Sequence, residues 1–164
     1  MRRFAVAFTG PSGSGKTTLV EKVAKNLIKT KKVAIIKNDP KDKAIFDVEG
    51  KDSYKFSQTG AEVVVTSPTR TTYFSKRDRE LDEIIDMFGS FDILLVEGLK
   101  TLPLPRIAIF RNKIDESYLD CSEAIAIDET INIKEYNIPK EIDILNLNST
   151  SDIVNWIEKN AKKV

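Results

Sequence analysis

An octet near the start of the sequence, Gly10-Pro11-Ser12-Gly13-Ser14-Gly15-Lys16-Thr17, constrains the fold more than any other feature. It matches the phosphate-loop pattern G-x-x-x-x-G-K-[ST] at every fixed position. The apolar run 4–8 comes before it, and residues 18–31 follow it with apolar side chains at helical spacing. A strand, a glycine-rich loop and a helix in this order predict a site for a nucleoside di- or triphosphate.

The chemistry of phosphate explains this combination of residues. Glycines lack a Cβ atom, so their backbone N–H groups can approach phosphate oxygens closely, and a helix N-terminus favours an anion. Lys16 is expected to bring a positive charge to the β- and γ-phosphates, and the Thr17 hydroxyl is expected to ligate Mg²⁺. The nucleotide-binding residues predicted in this segment are Gly10, Pro11, Ser12, Gly13, Ser14, Gly15, Lys16, Thr17 and Thr18.

Length and charge narrow the class of protein. The 164 residues suit a single domain, residues 1–164, and 26 basic against 25 acidic side chains argue against bulk electrostatic binding of nucleic acid. No apolar run approaches the roughly 18 residues of a membrane span. The start of the chain leads directly into the first predicted strand. We therefore expect neither a membrane segment nor a signal peptide.

The sequence contains no histidine and one cysteine, Cys121. The missing histidines exclude Ser-His-Asp and Cys-His catalysis and histidine metal sites, and one cysteine cannot build a zinc site. Because one cysteine also cannot form an internal disulfide, a reducing cytoplasm is the expected location.

Strand and helix patterns alternate along the chain. Besides the first strand and helix, strands are predicted at 33–36, 62–66, 71–74, 91–96, 106–110, 124–127 and 142–145, and helices at 79–88 and near the end of the chain. The polar segment 38–60 is expected to be a loop, and Ser151 is expected to cap the last helix. This alternation predicts a three-layer α/β fold with a mostly parallel central sheet, the P-loop NTPase fold.

A second carboxylate for the site is predicted at the end of the most apolar strand. Open α/β sheets bind ligands beyond the carboxyl ends of their strands, where Glu97 lies, whereas Asp92 lies at the amino end of the same strand. Five residues at about 3.3 Å each separate the two by roughly 16 Å, so only Glu97 can reach the phosphates. We expect Glu97 to hold Mg²⁺ with Thr17, or to orient the attacking water, and to act with Lys16 in catalysis.

Two further segments carry open interpretations. Asp39 follows the second strand at the ligand-binding edge and could reach the metal or its waters, and residues 47–54 are either a solvated loop or a segment that orders on nucleotide binding. Asn112-Lys113-Ile114-Asp115 spells N-K-x-D, in which the aspartate reads guanine in many GTPases. A four-letter match with one free position also arises by chance in a chain rich in lysine, asparagine and aspartate.

Several segments together resemble the MobB family over essentially the whole chain. The discriminating ones are Gly50-Lys51-Asp52-Ser53 and Val96-Glu97-Gly98-Leu99-Lys100, because many families share the phosphate loop. The sequence departs from the family at Asn38 and Lys41, where histidines are frequent, and at Glu49, where proline is frequent. The remaining matching segments are 10–17, 37–40, 54, 60–61 and 106–111.

The resemblance implies a GTP-binding adapter with weak GTPase activity in the biosynthesis of molybdopterin-guanine dinucleotide. It further implies GTP and Mg²⁺ as ligands, a homodimer, and partnership with the guanylyltransferase that joins GMP to molybdopterin. Under the resemblance, Lys16 and Thr17 take the phosphate and metal positions, Glu97 is the acid after the central strand, and Asp47 and Asp52 match acidic positions of the family loop.

Two alternatives to an adapter stay open from the sequence. A small-molecule kinase that transfers the γ-phosphate usually carries an arginine-rich lid, of which Thr69-Arg70 and 76–79 offer only a thin version. In the second alternative the chain is a non-enzymatic module in which the nucleotide serves structure alone.

Overall fold

The computed structural model describes residues 3–164, which form two compact units. The first unit comprises the residues up to 38 and those from 90 onward, and the second comprises residues 39–89. Met1 and Arg2 lie outside the described residues. They begin the segment that was predicted to run directly into the first strand. The single domain over 1–164 stays a prediction.

The described residues form nine strands and four α-helices. The strands are β1 (Phe4–Thr9), β2 (Val33–Lys37), β3 (Val63–Ser67), β4 (Arg70–Phe74), β5 (Ile93–Glu97), β6 (Arg106–Ile109), β7 (Ala124–Ile127), β8 (Asp143–Asn146) and β9 (Lys162–Lys163). The helices are α1 (Lys16–Leu27), α2 (Asp52–Gln58), α3 (Leu81–Met87) and α4 (Thr150–Asn160).

The first unit is built on a seven-stranded sheet. Its main path runs β2-β5-β1-β6-β7-β8, with all neighbours parallel, and β9 pairs antiparallel with the start of β1. Because the strands on this path are parallel, the carboxyl ends of β1, β2, β5, β6 and β7 lie at one edge of the sheet. The mostly parallel α/β architecture predicted from the sequence is thereby confirmed.

Helices α1 and α4 cover one face of this sheet with their apolar sides. Leu19, Val23 and Leu27 of α1 are almost fully buried, as are Ile153 and Ile157 of α4. Burying a side chain of this size stabilises a fold by about 1.5–3 kcal/mol. The opposite face of the β6–β7 half carries a second apolar cluster, which includes Leu119 of the 3₁₀ helix Glu116–Cys121.

Two local predictions for the first unit have different outcomes. Asp92 lies at the amino end of β5, far from the phosphate loop, as predicted. Its Oδ2 accepts a hydrogen bond of 2.7 Å from the backbone N–H of Lys32. The predicted cap at Ser151 is wrong, because the helix begins at Thr150 and Ser149 is its N-cap. The Ser149 hydroxyl accepts from the backbone N–H of Asp152 at 3.2 Å.

The second unit contains the antiparallel hairpin β3–β4 and the helices α2 and α3. Both strands were predicted, but α2 lies within the segment expected to be a loop. This helix has no apolar face that packs against a core, because Ser57 is its one buried residue. The Ser53 hydroxyl donates to Asp47 Oδ1 at 2.8 Å, which ties the first turn of α2 to the preceding segment. Among the residues from 3 to 164, no helix is long and apolar enough to cross a lipid bilayer.

Candidate nucleotide-binding site

The loop between β1 and α1 requires glycine at its two ends. Gly10 has φ 140°, and a Cβ atom there would lie 2.4 Å from the carbonyl oxygen of Ile109 at the end of β6. Gly15 has φ 95° and forms the N-cap of α1 in the left-handed conformation. A side chain at Gly10 would therefore collide with the backbone of β6, and one at Gly15 would strain the backbone.

Lys16 bends back over this loop. Its Nζ donates to the carbonyl oxygens of Gly10 at 2.8 Å and Pro11 at 2.7 Å. Partial burial lowers the pKa of Lys16, the charge of Glu97 opposes this, and the charges of Lys37 and Lys100 lower the pKa further. The ammonium group is thus held at the mouth of the loop by neutral acceptors, which leaves its charge available to an anion.

Thr17 and Glu97, predicted to share a metal, lie side by side. The Thr17 hydroxyl donates to Glu97 Oε2 at 3.4 Å, and Glu97 is only 7% exposed. Two oxygens at adjacent corners of a Mg²⁺ octahedron, each about 2.1 Å from the ion, lie about 3.0 Å apart. The two side chains therefore fit Mg²⁺, which keeps several waters and needs few protein ligands. No group of three or more Cys, Asp or Glu side chains in residues 3–164 is arranged to hold a metal ion.

No role was predicted from the sequence for Lys37, the neighbour of Glu97. Strands β2 and β5 pair in register so that Lys37 lies beside Glu97, and its Nζ contacts Glu97 Oε1 at 2.8 Å. The two oxygens of the carboxylate thus have separate partners, one facing Lys37 and the other facing Thr17. The sequence feature that could have indicated this contact is the position of Lys37 at the carboxyl end of its strand.

Arg106 is a second residue for which no role was predicted from the sequence. It is 1% exposed, and its guanidinium donates to the carbonyl oxygens of Gly98, Leu99, Lys100 and Leu102 at 2.9–3.2 Å. These residues form the loop after Glu97, where Gly98 and Leu99 have φ of 94° and 50°. Arg106 therefore fixes a strained loop at the edge of the candidate site. The sequence feature that could have indicated this role is an arginine at the start of an otherwise apolar strand.

Ser14 adds an unsatisfied polar group to the phosphate loop. Its Oγ is buried and has no hydrogen-bond partner within the described residues. A buried hydroxyl left without a partner costs roughly 1–3 kcal/mol. A ligand with oxygen atoms in this loop would relieve that cost, so the loop fits the phosphate groups that the sequence predicts.

The other predicted residues have contacts of their own. Thr18 is exposed in the first turn of α1. Asp115 is also exposed, and its Oδ1 accepts from the backbone N–H and hydroxyl of Ser117 at 3.1 and 2.6 Å, which lowers the pKa of Asp115. Asp39 belongs to the second unit, where its Oδ2 accepts from the backbone N–H groups of residues 43 and 44, each at 2.7 Å. Nucleotide contacts of all three stay predictions.

The structure brings the predicted loop and Glu97 together at one edge of the sheet. Gly10 to Thr17 connect β1 to α1, and Glu97 ends the neighbouring strand β5, in register with Phe8 of β1. A phosphate loop followed by a helix, with an acidic residue on the adjacent strand, is an arrangement suited to a nucleotide and a divalent cation. The catalytic and metal-binding roles of Lys16, Thr17 and Glu97 stay predictions.

Comparisons with known proteins agree with this arrangement. The family model of molybdopterin guanine dinucleotide synthesis protein B, MobB, matches residues 5–129. A molybdopterin-guanine dinucleotide biosynthesis adapter protein of Haemophilus influenzae is 32% identical over 161 residues, covering 93% of this chain and 86% of the relative. The corresponding Escherichia coli protein is 27% identical over 168 residues, covering 94% and 93%.

Solved structures support the same fold. The crystal structure of Bacillus subtilis MobB superposes with a TM-score of 0.75 at 21% identity, covering 97% of this chain and 98% of that one. At this identity the likeness concerns the fold, whereas the match of the family model concerns the sequence itself. By that match, which extends over most of its length, the chain belongs to the MobB family.

Proposed function

We propose that this protein is a GTP-binding adapter in the biosynthesis of molybdopterin-guanine dinucleotide, where it supports the guanylyltransferase that joins GMP to molybdopterin. The observation that carries the proposal is the phosphate loop with Lys16 at its mouth and the Thr17–Glu97 pair beside it. The names of the matching relatives, which describe adapter proteins of this pathway, support the second half of the proposal.

In this proposal the residues of the site bind and orient GTP. The loop N–H groups would donate hydrogen bonds to the phosphate oxygens, Lys16 would neutralise part of their charge, and Thr17 and Glu97 would hold Mg²⁺. When bound, Mg²⁺ supplies the charge that draws electrons toward the leaving phosphate. Lys37 neutralises one oxygen of Glu97 and leaves the other for the metal. We propose weak hydrolysis, because phosphoryl transfer depends mainly on positioning and charge, which the loop, Lys16 and the metal ligands would supply.

We also propose that the protein acts as a homodimer in the cytoplasm. Hairpin β3–β4 of the second unit supports a dimer, because Val64 is 55% and Val65 39% exposed on a two-stranded sheet. A sheet of two strands is marginal alone and offers unpaired edges to another chain. Gel filtration with light scattering tests this, and a monomer at micromolar concentration would refute it.

Titration of the protein with GTP and Mg²⁺ tests nucleotide binding directly. Lys16→Ala should abolish binding, whereas Lys22→Ala, which removes the same charge from an exposed position on α1, should leave it unchanged. Equal binding by the wild type and Lys16→Ala would refute the placement of the phosphates.

Incubation of the protein with Mg·GTP and no acceptor tests the reaction. Slow phosphate release supports a weak GTPase, turnover that depends on an added acceptor supports a kinase, and tight binding without turnover supports a structural role of the nucleotide. Capture from a cell extract with GTP or GDP present tests the adapter role. Absence of the guanylyltransferase from both samples would refute it.

A further inference from the structure

The two sides of the phosphate loop differ in chemistry. On one side of β1 lies β5, whose Glu97 meets Thr17 at the metal end of the site. On the other side lie β6 and then β7. Because the γ-phosphate belongs beside the metal, the part of a nucleotide nearer the nucleoside extends toward the loops that follow β6 and β7. The residues of those loops are therefore candidates for a second set of ligand contacts.

Arg111, two residues beyond the end of β6, lies against the last glycine of the phosphate loop. Its Nε is 3.4 Å, and its Cζ and Nη2 are 3.7 Å, from the place that a Cβ atom on Gly15 would occupy. Gly15 is the N-cap of α1, so the guanidinium stands beside the helix N-terminus where phosphate is expected.

Asp128, the residue after β7, holds this arginine in place. Arg111 Nε lies 3.5 Å from Asp128 Oδ2, and the Asp128 side chain is only 6% exposed. Asp128 Oδ1 accepts from the backbone N–H of Thr130 at 3.1 Å and from the Thr130 hydroxyl. The same hydroxyl oxygen accepts from the backbone N–H of Asn112 at 2.8 Å. The loops after β6 and β7 are thus joined through one fixed carboxylate.

This arrangement leaves most of the guanidinium unused. Only Nε of Arg111 is engaged among the described residues, and the side chain is 44% exposed. The hydrogen bonds from Thr130, and then the charge of Arg111, lower the pKa of Asp128, so the carboxylate stays ionised near neutral pH. A guanidinium held along one edge, with its remaining N–H groups free beside a phosphate loop, matches the planar fork that binds phosphate oxygens.

We propose that Arg111 is a second phosphate-binding cation of this site, acting on the α- and β-phosphates on the side of the loop opposite Glu97, with Asp128 as its positioning residue. This inference rests on the proposed function, because it presumes that the loop binds a nucleotide. Since GTP and GDP share these two phosphates, Arg111 contributes equally to the binding of both and leaves the magnesium dependence to Thr17 and Glu97.

The test is a titration of the wild type and Arg111→Ala with GTP, GDP and inorganic pyrophosphate, each with Mg²⁺. Charge-assisted hydrogen bonds predict that the variant binds all three about 10- to 100-fold more weakly, with an unchanged ratio of GTP to GDP affinity. Lys140→Ala is the matched control, because it removes one positive charge from an exposed residue before β8, at the opposite edge of the sheet. It should bind like the wild type.

Two results would overturn the assignment of Arg111. Binding of all three ligands within twofold of the wild type would mean that the Arg111–Asp128 pair is only a structural ion pair. Weaker GTP and GDP binding with unchanged pyrophosphate binding would mean that the guanidinium contacts the nucleoside rather than the phosphates. Thermal unfolding of each variant, measured without ligand, shows whether a loss of binding reflects a loss of fold.

Asp128→Asn tests the positioning role. This variant should weaken pyrophosphate binding less than Arg111→Ala does, and it should add no further loss when combined with Arg111→Ala. A full additional loss in the double variant would show that Asp128 acts independently and would overturn its role.

Failure of the proposed function has a separate signature. If the wild type bound no GTP, or if Lys16→Ala bound GTP as tightly as the wild type, the nucleotide site itself would be wrong. If Lys16→Ala lost binding while Arg111→Ala kept it, only the assignment of Arg111 would fail.

Discussion

Replacing Arg106 with methionine should destabilise the protein strongly, although this residue lies outside the predicted set of binding residues. Methionine keeps an unbranched apolar stem and removes the guanidinium that donates to four carbonyl oxygens between Gly98 and Leu102. Hydrogen bonds to a charged group contribute roughly 1.5–3 kcal/mol each. The several kcal/mol needed to bury the cation offset part of that sum. We expect a net loss of about 3 kcal/mol in the free energy of unfolding.

The assay is urea denaturation of the wild type, Arg106→Met and Arg106→Lys, followed by circular dichroism. Lysine keeps the charge but cannot span the carbonyls with a planar fork, so Arg106→Lys should fall between the other two proteins. Arg70→Met, at an exposed position of hairpin β3–β4, is the control and should change stability by less than about 0.5 kcal/mol. A loss below about 1 kcal/mol in Arg106→Met would refute the claim that the guanidinium holds the loop.

Three further predictions follow from the site. Gly10→Ala should lower the free energy of unfolding, measured by urea denaturation, by about 3 kcal/mol, because the new Cβ would lie 2.4 Å from Ile109 O. Gly13→Ala should lower it by only about 1–2 kcal/mol, the cost of left-handed strain, because its Cβ would meet nothing within 4 Å. Equal losses in the two variants would contradict this. Glu97→Gln should raise the Mg²⁺ concentration for half-maximal GTP binding about tenfold or more in a titration at fixed GTP, and an unchanged midpoint would exclude Glu97 from the metal site. Folding lowers the pKa of Asp128, so the ionised carboxylate stabilises the fold at pH values above the pKa that it has in the unfolded chain. This stabilisation is lost as the pH falls through the lower pKa of the folded protein. Asp128→Asn should therefore lose less unfolding free energy between pH 7 and pH 3 than the wild type, and an equal loss would show that this carboxylate is not linked to stability.

The sequence predicted the parts of the site that depend on local pattern. The octet 10–17 specifies its own loop because glycine is needed where φ is positive, and Glu97 could be found because a residue's place along a parallel strand decides which edge of the sheet it reaches. The same reasoning placed Asp92 at the far edge. Parallel strands convert a position in the sequence into a position in space, and this conversion needs no knowledge of side-chain contacts.

The parts that the sequence did not predict depend on pairings between distant segments. Lys37 meets Glu97 only because β2 lies next to β5, and the strand order cannot be read from the strands themselves. Arg106 binds backbone carbonyl oxygens, which every residue possesses. Its partners therefore cannot be recognised from the types of side chain in the sequence. Helix α2 was missed for a related reason, because it buries almost nothing and so lacks the periodic apolar pattern by which helices are predicted.

The charges around the phosphate loop explain why a nucleotide suits this site better than a neutral ligand. Lys37 and Lys100 both lower the pKa of Lys16, so these cations repel one another, and Glu97 opposes them with one negative charge. A phosphate chain would supply negative charge close to Lys16, and Mg²⁺ at Thr17 and Glu97 would then balance the excess on the phosphates. Binding of phosphate and metal should therefore be cooperative, because each compensates for a charge that the other leaves unbalanced.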